Sequence, residues 1–228
     1  MQRSEACTVY RILREYYGVT RSSERHFLDF KNPFEILVMT ILSAQTTDRT
    51  VNAVKDTLFH RYPDPAALAR ADPAEVERII RSTGFFRAKA RNIIRAAGIL
   101  ESRHGGNVPS SMDELLLLPG VGRKTANIVL HHAYDITAGI AVDTHVKRVS
   151  TRLGFTEKTD PDEIEKDLTV LFPRKAWSEI NYLFIRHGRS ICDAKKPRCT
   201  ECPVSGHCRY YLSGRSGDEG RIHEITAP

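Results

Sequence analysis

Leu115–His145 reads LLLLPGVGRKTANIVLHHAYDITAGIAVDTH, and the fold follows from how this stretch is parsed. The leucine run ends one helix, Pro119-Gly120-Val121-Gly122 makes a tight turn, and a second helix carries Ala126, Val129, Leu130 and Ala133 on one face. That is a helix-hairpin-helix. Turn glycines have no side chain to keep an anion away from the backbone N–H groups, and the following helix presents its positive end at the same place. A nucleic-acid phosphate fits such a site, with Gly120, Val121, Gly122 and Arg123 as its predicted contacts.

Lys124 falls in the first turn of the second helix, where the dipole raises the cost of its positive charge. A partly neutral amine is what a nucleophilic, imine-forming lysine needs. A solvated lysine that contacts phosphate would occupy the same position, and the stretch alone leaves both readings open. Farther along, Ala138 to Val142 reads as a short extended segment and Asp143 as the start of a helix bearing Val146, Val149 and Leu153. As a helix N-cap, Asp143 has a sufficient structural explanation.

The chain has 228 residues, 41% hydrophobic and 27% charged, which is ordinary for a globular protein of one large or two modest domains. Its 34 Lys+Arg against 28 Asp+Glu leave a net charge of +6, compatible with a polyanionic partner. No apolar run reaches membrane-spanning length, and the start, MQRSEACTVYRILREYYG, has charges and tyrosines where a secretion signal has a hydrophobic block. A cytoplasmic protein with no membrane partner is expected.

Cap-and-proline pairs mark helix starts at Asn32-Pro33, Asp64-Pro65, Asp72-Pro73 with Glu75 at the third position, and Asp160-Pro161 with Glu163. Apolar stripes at Val51, Val54, Leu58, at Ile164, Leu168, Leu171 and at Trp177, Ile180, Phe184 agree with an all-α fold. Pro33 to about Ala44 is apolar nearly all round and reads as the central helix, delivering Gln45 to its end. Residues 79 to 94, IIRSTGFFRAKARNII, repeat the hairpin in outline: an apolar helix end, a glycine turn, then basic residues opening a helix. Phe85 and Phe86 occupy that turn beside Arg87, Lys89 and Arg91, a basic patch with an apolar tip. One phenylalanine reads as core and the other as a wedge between bases. After Arg209, YYLSGRSGDEGRIHEITAP reads as a mobile terminus.

Cys192, Cys199, Cys202 and Cys208 form C-x6-C-x2-C-x5-C. Four sulfurs in one short loop suit tetrahedral zinc or a [4Fe-4S] cluster, and the single C-x2-C leans toward iron-sulfur. Lys195 and Lys196 lie among these ligands and read as phosphate contacts.

Together, LPGVGRKTA, VDTH and this cysteine spacing resemble the endonuclease III family of DNA glycosylases over about residues 5 to 208. The resemblance implies a two-domain all-α helix-hairpin-helix glycosylase fold with DNA across a cleft. A six-helix barrel domain would span 26–136, an iron-sulfur cluster domain 1–25 with 137–208, and a tail 209–228. It places the nucleophilic lysine on Lys124, the catalytic aspartate on Asp143 and the space-filling glutamine on Gln45. It also implies that Phe85 stands at the wedge position, Arg87 and His145 belong to the DNA-binding set, and the four cysteines ligate a [4Fe-4S] cluster. The implied function is a bifunctional glycosylase and AP lyase that removes oxidised pyrimidines from damaged double-stranded DNA, acting as a nucleoid-associated monomer. A monofunctional mismatch or uracil glycosylase and a non-catalytic iron-sulfur DNA-binding protein are the alternatives.

Overall fold

Helix N-termini leave backbone N–H groups without acceptors, so residues able to accept from them fix where helices begin. In the computed structural model, which describes residues 2–19 and 27–214, these starts fall on the expected caps. Helix α1 spans Arg3–Tyr16. Asn32 then accepts from Glu35 N–H at 2.9 Å to open α2, Pro33–Leu42. Thr47 caps α3, Asp48–Arg61, Asp64 caps α4, Pro65–Ala69, and Asp72 caps α5, Pro73–Ile79. Next come α6, Phe86–His104, α7, Met112–Leu116, and α8, Arg123–Tyr134. Asp143 caps α9, Thr144–Leu153, and Asp160 caps α10, Pro161–Leu171. The last helices are α11, Trp177–Ser190, and the short α12, Arg209–Leu212. No strand occurs among the described residues, so the fold is all-α.

One cap pairing differs from the sequence expectation. Glu75 does not turn back to the Asp72 N–H; it accepts from Arg61 Nε at 2.9 Å and from the Tyr62 hydroxyl at 2.8 Å, tying α3 to α5. The guanidinium and phenol donors offer a charged carboxylate more than one backbone donor does.

The chain divides into two compact units, Ser23–Ala141 and Met1–Ser22 with Val142–Pro228. In the first, α2 is the centre. Phe34 through Leu42 are all buried, and the two polar residues among them are satisfied locally. The Thr40 hydroxyl donates to Ile36 O at 2.7 Å, and the Glu35 carboxylate accepts from Lys31 N–H at 2.8 Å. Helices α3, α6 and α8 pack against α2, placing Val51, Val54, Leu58, Ala90, Ile93, Ala126, Val129 and Leu130 in the same core.

The second unit joins both ends of the sequence. α1 packs on α10 and α11, where the Tyr10 hydroxyl donates to the buried Glu179 carboxylate at 2.6 Å and Arg14 pairs with it at 3.1 Å. Phe155 stacks on Phe184 at 5.9 Å between ring centres, and Phe172 meets both edge-on. Among the described residues no helix is long and apolar enough to cross a membrane. Leu37 is fully buried in the α2 core; Leu37→Ala is expected to lower unfolding free energy by about 2–5 kcal/mol, measured by chemical denaturation.

Candidate active site

The hairpin turn between α7 and α8 is held from inside. Val121 is buried and its N–H donates to Leu118 O at 3.1 Å, so this residue anchors the turn in the core instead of offering its side chain to a ligand. Gly120 has φ +81°, and a Cβ there would stand 2.9 Å from Asn92 Nδ2 and 3.1 Å from Ile41 Cγ2, so conformation and space both require glycine. Gly122 differs: its backbone is extended, a shape any residue adopts, and the space beside its Cα is open. What glycine supplies at 122 is unobstructed approach.

Gly122 is the N-cap of α8 and provides no side-chain acceptor. Of the seven α-helices among the described residues of this unit, α2, α3, α4, α5 and α7 are closed by side-chain caps, and α6 and α8 are not. Both follow a glycine turn. Lys124 is exposed on the uncapped first turn of α8, one residue after Arg123. The positive end of the helix is thus left for an outside anion.

The second glycine turn resolves the paired phenylalanines. Phe85 is 70% exposed and in the left-handed region at φ 47°, whereas Phe86 packs partly against the core with Arg87 over its ring at 5.5 Å. Arg87 is exposed and lies 3.8 Å from Glu77. Lys89 departs from the expected basic patch: it is buried, and burial lowers its pKa from the ordinary lysine value. Gln45, following α2, is exposed at φ 54°, and its neighbour Thr46 bonds Thr83 of the Phe85 turn.

In the other unit, Asp143 Oδ1 accepts from His145 N–H and Val146 N–H, both at 2.8 Å. One carboxylate oxygen is therefore committed to the helix. His145 Nδ1 meets Arg148 Nη2 at 3.0 Å and accepts from it, which assigns the ring proton to Nε2. Arg148 also donates to Gly188 O at 2.9 Å and Cys192 O at 3.1 Å. One turn later, Arg152 donates to Cys192 Sγ at 3.3 Å, Asp193 O at 2.6 Å and Ala194 O at 2.9 Å.

These two arginines brace the start of the cysteine loop on α9, and sequence reading missed both. Their signal was a pair of cations four residues apart on a helix whose other face is apolar. Lys195 and Lys196 are exposed, with their N–H groups bonded to Asp193 Oδ1 at 2.8 and 3.1 Å.

All four cysteines line one small cavity walled by Val149, Leu153, Ile191 and Tyr210. Burial pushes the Cys202 thiol up to about 11, with the charges of the other three cysteines adding to the effect, and raises Cys208 as well. Sulfurs that oppose one another's ionisation in an apolar space fit a group that brings positive charge. No three His, Cys, Asp or Glu side chains among the described residues are arranged to hold a single metal ion.

His187 stands beside this cavity, its Nε2 3.6 Å from Cys202 Sγ, and burial pushes its pKa down to about 4. The chain past Cys208 does not begin as a loose tail. Residues 209–212 are helical, and the Tyr210 ring lies under the Arg152 guanidinium at 4.8 Å. The rest of the expected mobile terminus, 215–228, lies outside the described residues.

The comparisons agree with this geometry. Residues 38–174 match the family model described as HhH-GPD superfamily base excision DNA repair protein, and residues 192–208 match the iron-sulfur binding domain of endonuclease III. The chain is 50% identical over 208 residues to endonuclease III of Synechocystis sp., covering 91% of this chain and 93% of that one. Among solved structures, a non-covalent endonuclease III–DNA complex superposes with a TM-score of 0.87 at 38% identity, covering 94% of this chain and 99% of that one. A trapped endonuclease III–DNA covalent intermediate matches with the same TM-score, identity and coverage.

Arg152→Leu removes the donors to Cys192 Sγ and two loop carbonyls. Its cluster is expected to lose iron faster in air, followed by visible absorbance and iron analysis, while Cys202→Ser is expected to hold little iron as isolated.

Proposed function

This chain belongs to the endonuclease III family of base-excision repair proteins, a DNA glycosylase and AP lyase with a [4Fe-4S] cluster, and we propose that its two reactions share the amine of Lys124. The observation that carries this reading is the open N-terminus of α8, where Lys124 is exposed beside glycines that leave the backbone free to meet a phosphate.

The substrate is duplex DNA bearing an oxidised pyrimidine. Gly120, Gly122 and Arg123 hold a phosphate of the damaged strand, while Gln45 and Phe85 enter the space the extruded nucleotide leaves. Exposure of both side chains supports that assignment. Unstacking costs a few kcal/mol per base step, which an inserted aromatic side chain offsets in part.

In the first step the Lys124 amine attacks C1′ and sheds a proton. The N-glycosidic bond breaks, its electrons leave with the base, and a covalent amine adduct forms. Asp143 assists through the carboxylate oxygen not used as a cap, receiving or steering the proton the amine sheds. Opening of the sugar ring gives a protonated imine, which makes the C2′ proton acidic. Loss of that proton expels the phosphate at C3′, cutting the strand 3′ to the abasic site, and water then hydrolyses the imine. A trapped protein–DNA covalent intermediate of a similar endonuclease III supports a covalent step.

Cys192, Cys199, Cys202 and Cys208 hold the cluster, which when bound cross-links the loop carrying Lys195 and Lys196. Those two lysines then meet the DNA backbone from a fixed platform. His145, two residues after the Asp143 cap of α9, belongs to the same DNA-contacting set. One chain supplies the lysine, the aspartate and the cluster ligands, which supports a monomer; association with the nucleoid follows from the substrate.

Borohydride reduction during turnover of a thymine glycol duplex is expected to trap a protein–DNA adduct. Lys124→Ala forms none, and an undiminished adduct in that variant refutes the assignment. Asp143→Asn, which keeps the Oδ1 cap, is expected to lower single-turnover base release by about 10²–10⁴-fold with little change in melting temperature.

A further inference from the structure

Lys89 is a cation where the chain needs no charge for packing. It is 5% exposed, on the first turns of α6. Its ammonium donates to the Thr46 hydroxyl and to the Thr83 carbonyl, each at 2.6 Å. The Thr46 hydroxyl in turn donates to the same Thr83 carbonyl. Burial lowers the lysine's pKa, and no carboxylate among the described residues offsets that cost. A methionine would fill a similar volume without burying a charge, so retaining lysine points to what the charge holds in place.

What it holds are two strained loops. Three non-glycine residues among the described residues have positive φ, Gln45, Phe85 and Asp135, and two of them flank this ammonium. Gln45 immediately precedes Thr46; Phe85 follows Thr83 by two residues, through Gly84 at φ 66°. Both side chains are exposed, so their own packing does not fix these backbone conformations. Residues in sparsely populated backbone regions persist when the surroundings over-determine them. Here the surroundings are one hydroxyl, one carbonyl and one ammonium, joined in a triangle.

We propose that Lys89 is a positioning residue for base extrusion, which locks the Gln45 loop to the Phe85 turn through Thr46 and Thr83 so that both side chains enter the duplex at a fixed separation. The proposal rests on the reading of Gln45 and Phe85 as inserted residues. Lys89 does not touch DNA in this scheme. Its effect is to prepay the ordering of two loops that otherwise would be ordered at the moment of insertion.

The test uses the cluster-loaded full chain and a duplex carrying 2-aminopurine next to a tetrahydrofuran abasic analogue. Its fluorescence rises when the neighbouring base unstacks. Gln45→Ala and Phe85→Ala serve as references and are expected to reduce the rise. Lys89→Met and Thr46→Val are each expected to reduce it too, and to lower kcat/KM on a thymine glycol duplex roughly tenfold. Melting temperature, cluster absorbance and affinity for undamaged duplex are expected to stay at the parent's values. The Lys89→Met/Thr46→Val double variant is expected to be no worse than the worse single, because both cut the same link.

A full fluorescence rise in folded Lys89→Met and Thr46→Val, with the rise lost in the two reference variants, overturns the link while leaving the insertion reading intact. A full rise in both reference variants overturns the insertion reading and the link with it. If Lys89→Met melts early, Thr46→Val, at a half-buried position, decides the matter.

Discussion

A helix cannot satisfy its own first N–H groups, and this chain is organised by how each helix answers that demand. Asn32, Thr47, Asp64, Asp72, Ser111, Asp143 and Asp160 close seven of them with side-chain oxygens. The closed ends fix element boundaries and so fix which faces meet in the core. Among the described residues of the unit built around α2, the two α-helix ends left without such a cap are those of α6 and α8, each behind a glycine turn. An unsatisfied helix terminus is a ready binding surface for an anion, and the phosphate contacts proposed above use the end of α8.

Asp143 joins a closed helix end to the proposed chemistry. One oxygen closes α9, and the same helix carries His145, Arg148 and Arg152 at its next positions. The arginines then hold the backbone at Cys192, Asp193 and Ala194, so the register of α9 sets the aspartate and the cysteine loop together. A cluster bound there has a rigid base. This is an economical way to stabilise a loop of exposed charged residues that has little apolar surface of its own to bury.

Much of this was legible along the chain, because the informative signals are local. The cap-and-proline pairs placed the starts of α2, α4, α5 and α10, and the apolar run placed α2 at the centre of its unit. C-x6-C-x2-C-x5-C marked the four cysteines that line one cavity, and PGVG gave the hairpin. The misread residues share a different property: their roles depend on what the fold brings against them. Lys89 looked like one cation in an exposed patch, but the turn of α6 directs it inward to Thr46, forty-three residues away. Glu75 looked like half of a capping box, and the packing of α5 on α3 gave it Arg61 and Tyr62 as stronger donors. Tyr210 looked like the start of a tail and lies under Arg152.

The sequence alone determined the helical class, the hairpin and the grouping of four cysteines in one short loop, since periodicity, capping and residue spacing act over a few residues. Only the tertiary structure decided that Phe85 is exposed and Phe86 packed, that Asp143 has one oxygen committed, that arginines of α9 brace the cluster loop, and that a buried ammonium joins two strained loops. Those facts depend on burial and on partners far apart in the chain, and neither is written in the spacing of neighbouring residues.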